Sequence, residues 1–124
     1  MTGKKKILVA DDSKTALMIT NMALAKKPYD VCTAGDGEEA LTMALADRPD
    51  LIVLDIVMPK LDGFETCRRL RSHASTRDVP IIMLTTRGEE ENMAVGVESG
   101  CTEYLTKPLN VTEFLAKVRT HLGE

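Results

Sequence analysis

Three short runs of almost purely aliphatic residues constrain this chain most: Ile7-Leu8-Val9-Ala10, Leu51-Ile52-Val53-Leu54 and Ile81-Ile82-Met83-Leu84. A strand with one face in water alternates apolar and polar residues, whereas a strand covered on both faces does not. The runs therefore predict strands of a parallel sheet covered by helices on both sides. Val31–Ala34 and Tyr104–Leu105 are more mixed runs that predict two further strands.

The intervals between the runs carry helix-start signals. Asp36-Gly37-Glu38-Glu39, Asp62-Gly63-Phe64-Glu65 and Asn110-Val111-Thr112-Glu113 each place a side-chain acceptor three residues before a glutamate. That spacing lets the first side chain accept from an otherwise orphaned backbone N–H. Helices are predicted near Ser13–Lys26, Gly37–Asp47, Phe64–Ser72, Glu89–Ser99 and Val111–Leu122, with Gly100 closing the fourth. The alternation reads as (βα)5, a doubly wound, flavodoxin-like α/β fold. Right-handed crossovers restrict the topology. The expected strand order is 2-1-3-4-5, with a site at the C-terminal strand ends where the order reverses.

The 124 residues suit one domain over residues 1–124, and 44% hydrophobic content with 28% charge suits a packed core. No apolar run reaches membrane-spanning length, and Met1 to Lys6 lacks the apolar stretch of a signal peptide, so a cytoplasmic protein with no membrane partner is expected. A net charge of −3 supplies no electrostatic reason to bind nucleic acid. Lys4, Lys5 and Lys6 read as a solvated tail. Cys32, Cys67 and Cys101 are widely spaced and odd in number, which points to buried free thiols. His73 and His121 read as isolated surface residues, the second near a helix C-terminus.

Asp11 and Asp12 follow the first strand, Asp55 closes the third, Thr85 ends the fourth and Lys107 follows the fifth. Parallel strands bring all five to one rim. Singly, each has an ordinary explanation: Asp11 or Asp12 as a helix cap, Asp55 as a strand-end residue, Thr85 as a β-former, Lys107 as a surface lysine. Together they supply what phosphoryl transfer needs. Clustered carboxylates repel one another and hold a hard cation such as Mg²⁺. One carboxylate can act as nucleophile toward phosphorus, and an ammonium and a hydroxyl can neutralise phosphoryl oxygens.

Asp11-Asp12-Ser13, Leu54-Asp55-Ile56-Val57-Met58-Pro59, Asp62-Gly63, Leu84-Thr85-Thr86 and Lys107-Pro108 resemble, in type and order, the signature of response-regulator receiver domains, the CheY-like family. The resemblance extends over nearly all of residues 5–122. It implies that Asp55 is the phospho-acceptor, charged by a sensor histidine kinase or a histidine phosphotransfer domain. It implies that Asp11, Asp12, Asp55 and the backbone carbonyl of Val57 hold Mg²⁺, and that Lys107 contacts the phosphoryl group. Thr85 and Tyr104 would move together as the switch, and the Lys107–Pro108 bond would be cis. Val57 and Arg87 occupy positions that tune self-dephosphorylation in this family. Val57 has no polar side chain to orient water, which puts fast turn-off in doubt. Arg87 is expected either to shield or to guide water. Thr86 stands where a smaller residue is usual.

Output would pass through the face formed by the fourth helix, fifth strand and fifth helix, whose apolar residues include Met93, Val95, Tyr104 and Phe114, some of them necessarily core. The downstream protein target is not encoded in any motif, and a monomer or weak dimer is expected. Because the chain ends at Glu124, just past the fifth helix, output by protein binding rather than through a DNA-binding domain is expected, unless the chain is part of a longer regulator. In the first helix Ala16, Ile19, Ala23 and Leu24 form a sufficient inward stripe, leaving Leu17, Met18 and Met22 at the flanks or outside as a kinase-docking face; a stripe rotated to bury them reads equally well. An aspartate-nucleophile phosphatase of the haloacid-dehalogenase type also uses Asp, Thr and Lys, but it needs a second Asp where Val57 stands. A flavodoxin-like electron carrier would need a phosphate-binding loop where Asp11 and Asp12 stand.

Overall fold

In the computed structural model, residues 4–85, 90–107 and 109–124 are described, residues 90–93 by their backbone alone. Strands and helices alternate: β1 Lys6–Ala10, α1 Lys14–Leu24, β2 Asp30–Ala34, α2 Gly37–Asp47, β3 Leu51–Asp55, α3 Gly63–Arg71, β4 Ile81–Thr85, α4 Glu90–Ser99, β5 Glu103–Thr106 and α5 Val111–His121. The strands form one parallel sheet in the order β2-β1-β3-β4-β5, as the sequence predicts. The three aliphatic runs are the three inner strands, where no residue of β3 or β4 reaches the surface appreciably.

Parity along each strand divides the core in two. Ile7, Val9, Leu51, Val53, Ile82 and Leu84 face α1 and α5, meeting Leu24, Phe114 and Val118. Leu8, Ala10, Ile52, Leu54, Ile81 and Met83 face the other way, meeting Ala40, Ala44, Cys67 and Leu70 of α2 and α3. Each fully buried Leu, Ile or Val contributes about 1.5–3 kcal/mol of transfer free energy. The continuous apolar pattern is thus explained by two helical layers.

The expected caps form. Asp36, Asp62 and Asn110 accept from the N–H groups of Glu39, Glu65 and Glu113 at 2.8, 2.8 and 2.9 Å. Glu39 also reaches back to accept from the Gly35 N–H. α1 is capped by Ser13, whose hydroxyl accepts from Ala16 N, so neither Asp11 nor Asp12 is used as the cap. Gly100, at φ +99°, ends α4.

Some expectations are corrected. Ile19 does not face the core: it is 48% exposed, and Thr20 at 4% takes the inward place. The helix is turned by about one residue, so Thr20, Ala23 and Leu24 point inward with Leu17 packed at the edge. Met18 and Met22 do lie outside. His121 is not isolated, since its Nε2 lies 2.7 Å from Glu103 Oε2, and Lys117 flanks the same carboxylate at 3.6 Å. Lys6 belongs to β1 rather than to a solvated tail, and its N–H donates to the Asp50 carboxylate. Of the free thiols, Cys67 is buried and Cys32 and Cys101 are half-buried. Burial pushes the Cys101 thiol up to about 11. Among the described residues, no helix is long and apolar enough to cross a membrane.

Candidate functional site

Strand register builds the site. Ala10 pairs with Leu54, Asp55 with Leu84 and Thr85 with Thr106, so Asp11, Asp55, Thr85 and Lys107 arrive at one rim. Ordinary parallel pairing thus joins residues up to 96 positions apart.

Asp11 is 4% exposed and held from both sides. Its Oδ1 accepts from the Ser13 N–H at 2.9 Å, and its Oδ2 accepts from Lys107 Nζ at 2.9 Å. Asp55 is buried at the end of β3, with Oδ1 3.3 Å from the same ammonium. Asp12 is exposed at the mouth. One carboxylate oxygen from each of Asp11, Asp12 and Asp55 falls within 4.8 Å of the others. Thr85 is buried beside them, and its carbonyl accepts from the Lys107 N–H, which ties the β4 and β5 ends together. These residues line a cleft of about 410 Å³ with Ser13, Ala16 and Val57, and Val57 is 75% exposed. A wider groove of about 500 Å³ runs along α1, but it has no cluster of ionisable groups for chemistry.

The electrostatics follow from burial and proximity. Burial pushes the Asp55 carboxyl up and the Asp11 charge adds to that, while the charge and hydrogen bond of Lys107 oppose both. Burial pulls the Lys107 ammonium down, but its hydrogen bond to Asp11 and the charges of Asp55 and Asp11 outweigh it, leaving its pKa raised. The cleft therefore carries a carboxylate held at a cost and a firmly charged ammonium. The donor set fits a hard, oxygen-seeking cation: three carboxylate oxygens within reach of one ion, one on an exposed residue that leaves room for water.

Two structural supports escaped the sequence reading. The N–H of Gly63 donates to Ile56 O at 2.8 Å, and a Cβ on Gly63 would fall 2.4 Å from Asp55 O. The Asp62-Gly63 pair is thus a close-packing point beneath Asp55 as well as a helix start. Arg71 donates from Nε to Gly100 O at 2.8 Å, from Nη1 to Arg77 O and Val79 O, and from Nη2 to Thr102 Oγ1, joining the end of α3 to the approaches of β4 and β5. Only the glycine left a sequence signal. Tyr104 is half-buried on β5, opposite Met83 in register. Thr86, Arg87 and the expected cis bond at Pro108 lie outside the described residues, as does the side chain of Met93.

A doubly wound parallel sheet in this order, with paired acids after β1, an acid on β3, a hydroxyl on β4 and a lysine after β5, defines a CheY-like receiver of two-component systems. Residues 7–119 match the response regulator receiver domain, and the chain belongs to that family. It is 46% identical over 118 residues to the alkaline phosphatase synthesis transcriptional regulatory protein PhoP of Bacillus subtilis, covering 95% of this chain and 48% of that protein. It is 39% identical to the response regulator PleD of Caulobacter vibrioides, covering 93% of this chain and 25% of that one. The chain thus spans half or less of the length of these curated relatives. Among solved structures, the chemotaxis protein CheY4 of Vibrio cholerae superposes with a TM-score of 0.89 at 35% identity, covering 95% of this chain and 98% of that one. The receiver domain of the sensor histidine kinase PA1611 of Pseudomonas aeruginosa superposes with a TM-score of 0.91 at 28% identity, covering 98% and 100%, and that structure has a magnesium ion coordinated in its active-site cleft.

Proposed function

We propose that Asp55 accepts a phosphoryl group from a phosphohistidine of a sensor kinase or a histidine phosphotransfer domain. An Asp55 carboxylate oxygen attacks phosphorus as the P–N bond breaks, and the leaving imidazole keeps the bonding pair and takes up a proton. Asp11, Asp12, Asp55 and the Val57 carbonyl would hold Mg²⁺, which when bound neutralises charge on the carboxylates and the phosphoryl oxygens. Lys107 is already hydrogen-bonded to Asp55 and can follow the charge onto the phosphoryl oxygens. Thr85 supplies a hydroxyl donor from β4, and Tyr104 responds to its movement. The observation that carries this reading is the convergence of three carboxylate oxygens within 4.8 Å, with one ammonium bridging two of the residues.

Residues 1–124 act in this reading as one receiver unit, supported by one continuous sheet with a core on each face. The chain assists only its own phosphorylation and dephosphorylation. Val57 presents an apolar side chain beside the acceptor and has nothing to position a hydrolytic water, which favours a long-lived phosphoryl group. The exposed Met18, Ile19 and Met22 ridge of α1 lies next to the cleft-lining Ala16 and suits docking of the phosphodonor. The α4-β5-α5 face is the output surface toward a protein target, with the receiver a monomer or weak dimer. Three free thiols fit a reducing cytoplasm.

The test is intact mass after incubation with acetyl phosphate and Mg²⁺, for wild type and Asp55→Asn. A one-phosphoryl gain that needs Mg²⁺ and is absent from the variant supports the reading. No gain with acetyl phosphate or phosphoramidate would overturn it in favour of a receiver that signals by binding alone.

A further inference from the structure

Gly96 stands inside α4, four residues before the glycine that ends the helix. A helix interior disfavours glycine more than any residue except proline. Backbone conformation does not call for it, because the glycines with positive φ among the described residues are Gly100 and Gly123. Space does. A Cβ built on Gly96 would lie 3.0 Å from Cδ2 and 3.2 Å from Cε2 of Tyr104, and 3.5 Å from Cys101 Sγ. The first two distances are tighter than ordinary side-chain contacts, so any larger residue would press on the aromatic ring. The carbonyl of Gly96 meanwhile accepts from the Cys101 N–H at 3.2 Å and the Ser99 hydroxyl at 2.6 Å, which fixes the turn that leads into Tyr104's strand.

We propose that Gly96 is a positioning residue for Tyr104: the notch left by its missing side chain seats the ring against the middle of α4, so that ring and helix shift as one body when Asp55 is phosphorylated. The second half of that statement rests on the roles given above to Asp55 and Tyr104; the first half stands on the packing alone. The notch couples the site to the output face mechanically. A ring pressed into a helix cannot change its position without either moving the helix or giving up the contact, and packed elements respond as discrete arrangements rather than by continuous deformation.

The composition supplies a clean probe. The chain has no tryptophan and two tyrosines, so Tyr29→Phe leaves Tyr104 as the sole tyrosine. Protein labelled with 3-fluorotyrosine in that background gives a fluorine resonance belonging to Tyr104, read with and without Mg²⁺ and beryllofluoride as a phosphoryl mimic. In the Gly96 parent the resonance is expected to shift on addition of the mimic. Gly96→Ala is expected to displace it beforehand and to reduce the further shift at least twofold. Thermal melting provides a readout whose sign is opposite for a glycine that has no ring to seat. A glycine with no packing duty raises Tm when replaced by alanine in a helix. The notch predicts that Gly96→Ala lowers Tm, or leaves it unchanged, beside Tyr104 but raises it beside Tyr104→Ala, where the ring is gone.

An unmoved resonance, or an equal gain in Tm with and without the ring, overturns the proposal. If Gly96→Ala alone does not fold, recovery of folding by Tyr104→Ala supports the notch and failure to recover overturns it. A parent resonance that ignores the mimic but moves with Gly96→Ala keeps the seat and overturns the role of Tyr104 in the phosphorylation reading.

Discussion

Lys107 Nζ lies 2.9 Å from Asp11 Oδ2, closer than its 3.3 Å separation from Asp55 Oδ1. The ammonium is therefore shared, with its shorter bond to the carboxylate that is not the proposed acceptor. Asp11 is held in place by this bond and by the Ser13 N–H, as suits its proposed part in holding a cation. Asp55 has the weaker claim on the lysine and sits in a buried place beside a second negative charge. That imbalance suits a nucleophile, because its charge is less completely satisfied than that of its neighbour.

Asp55→Asn should raise stability near neutral pH by a few degrees in Tm. Burial and the Asp11 charge raise the folded-state pKa of Asp55 above its unfolded value. The folded state then binds the proton more tightly, so the contribution of this group is full below the unfolded pKa of about 3.9 and is lost as pH rises through the raised value. Asparagine removes that loss. Melting curves across the acid range should show the gain shrinking toward the low end, and a variant less stable than wild type at neutral pH would contradict the assignment of Asp55 as a strained carboxylate.

Gly63→Ala should disturb the site from beneath. Its Cβ would fall 2.4 Å from Asp55 O and 2.8 Å from Ile56 Cα, both backbone atoms that cannot rotate away. Forced overlap of this kind costs roughly 1–3 kcal/mol. Urea denaturation should report the loss, and phosphorylation by acetyl phosphate should slow because Asp55 is displaced. Unchanged kinetics in a folded variant would show that the β3–α3 connection tolerates the shift.

Mg²⁺ should raise Tm in wild type. A ligand that binds only the folded state adds about 2.7 kcal/mol when present at about a hundred times its dissociation constant. Asp12→Asn should remove most of that rise while leaving the metal-free Tm close to wild type, since Asp12 is exposed and its charge is not part of the Lys107 bridge. An undiminished Mg²⁺ response in the variant would remove Asp12 from the ligand set.

Met18→Asp should separate docking from chemistry. Met18 is 61% exposed, so the substitution should leave Tm within a degree or two of wild type. Phosphotransfer from a cognate kinase should fall at least several-fold, while the rate with acetyl phosphate stays the same. Equal effects on both donors would take the α1 ridge out of the donor interface.

What the sequence determined by itself is what short-range chemistry decides. Continuous aliphatic runs demanded strands covered on both faces, and a (βα)5 alternation with right-handed crossovers restricted the sheet to a few orders, of which the expected 2-1-3-4-5 is the one observed. The caps at Asp36, Asp62 and Asn110 were legible because donor and acceptor lie three residues apart, and the site residues because a parallel sheet brings every strand end to one edge. Tertiary structure decided the rest. Ala16, Leu17, Ile19, Ala23 and Leu24 allow more than one inward stripe on α1, and the packing of β1 and α5 selected the one that buries Thr20 and exposes Ile19. His121 found Glu103, Lys107 divided itself between Asp11 and Asp55, and Gly63 and Gly96 became points of close approach, only once distant segments were in place. Such contacts depend on side chains separated by many residues and on distances of a few tenths of an ångström, which a pattern along the chain does not encode.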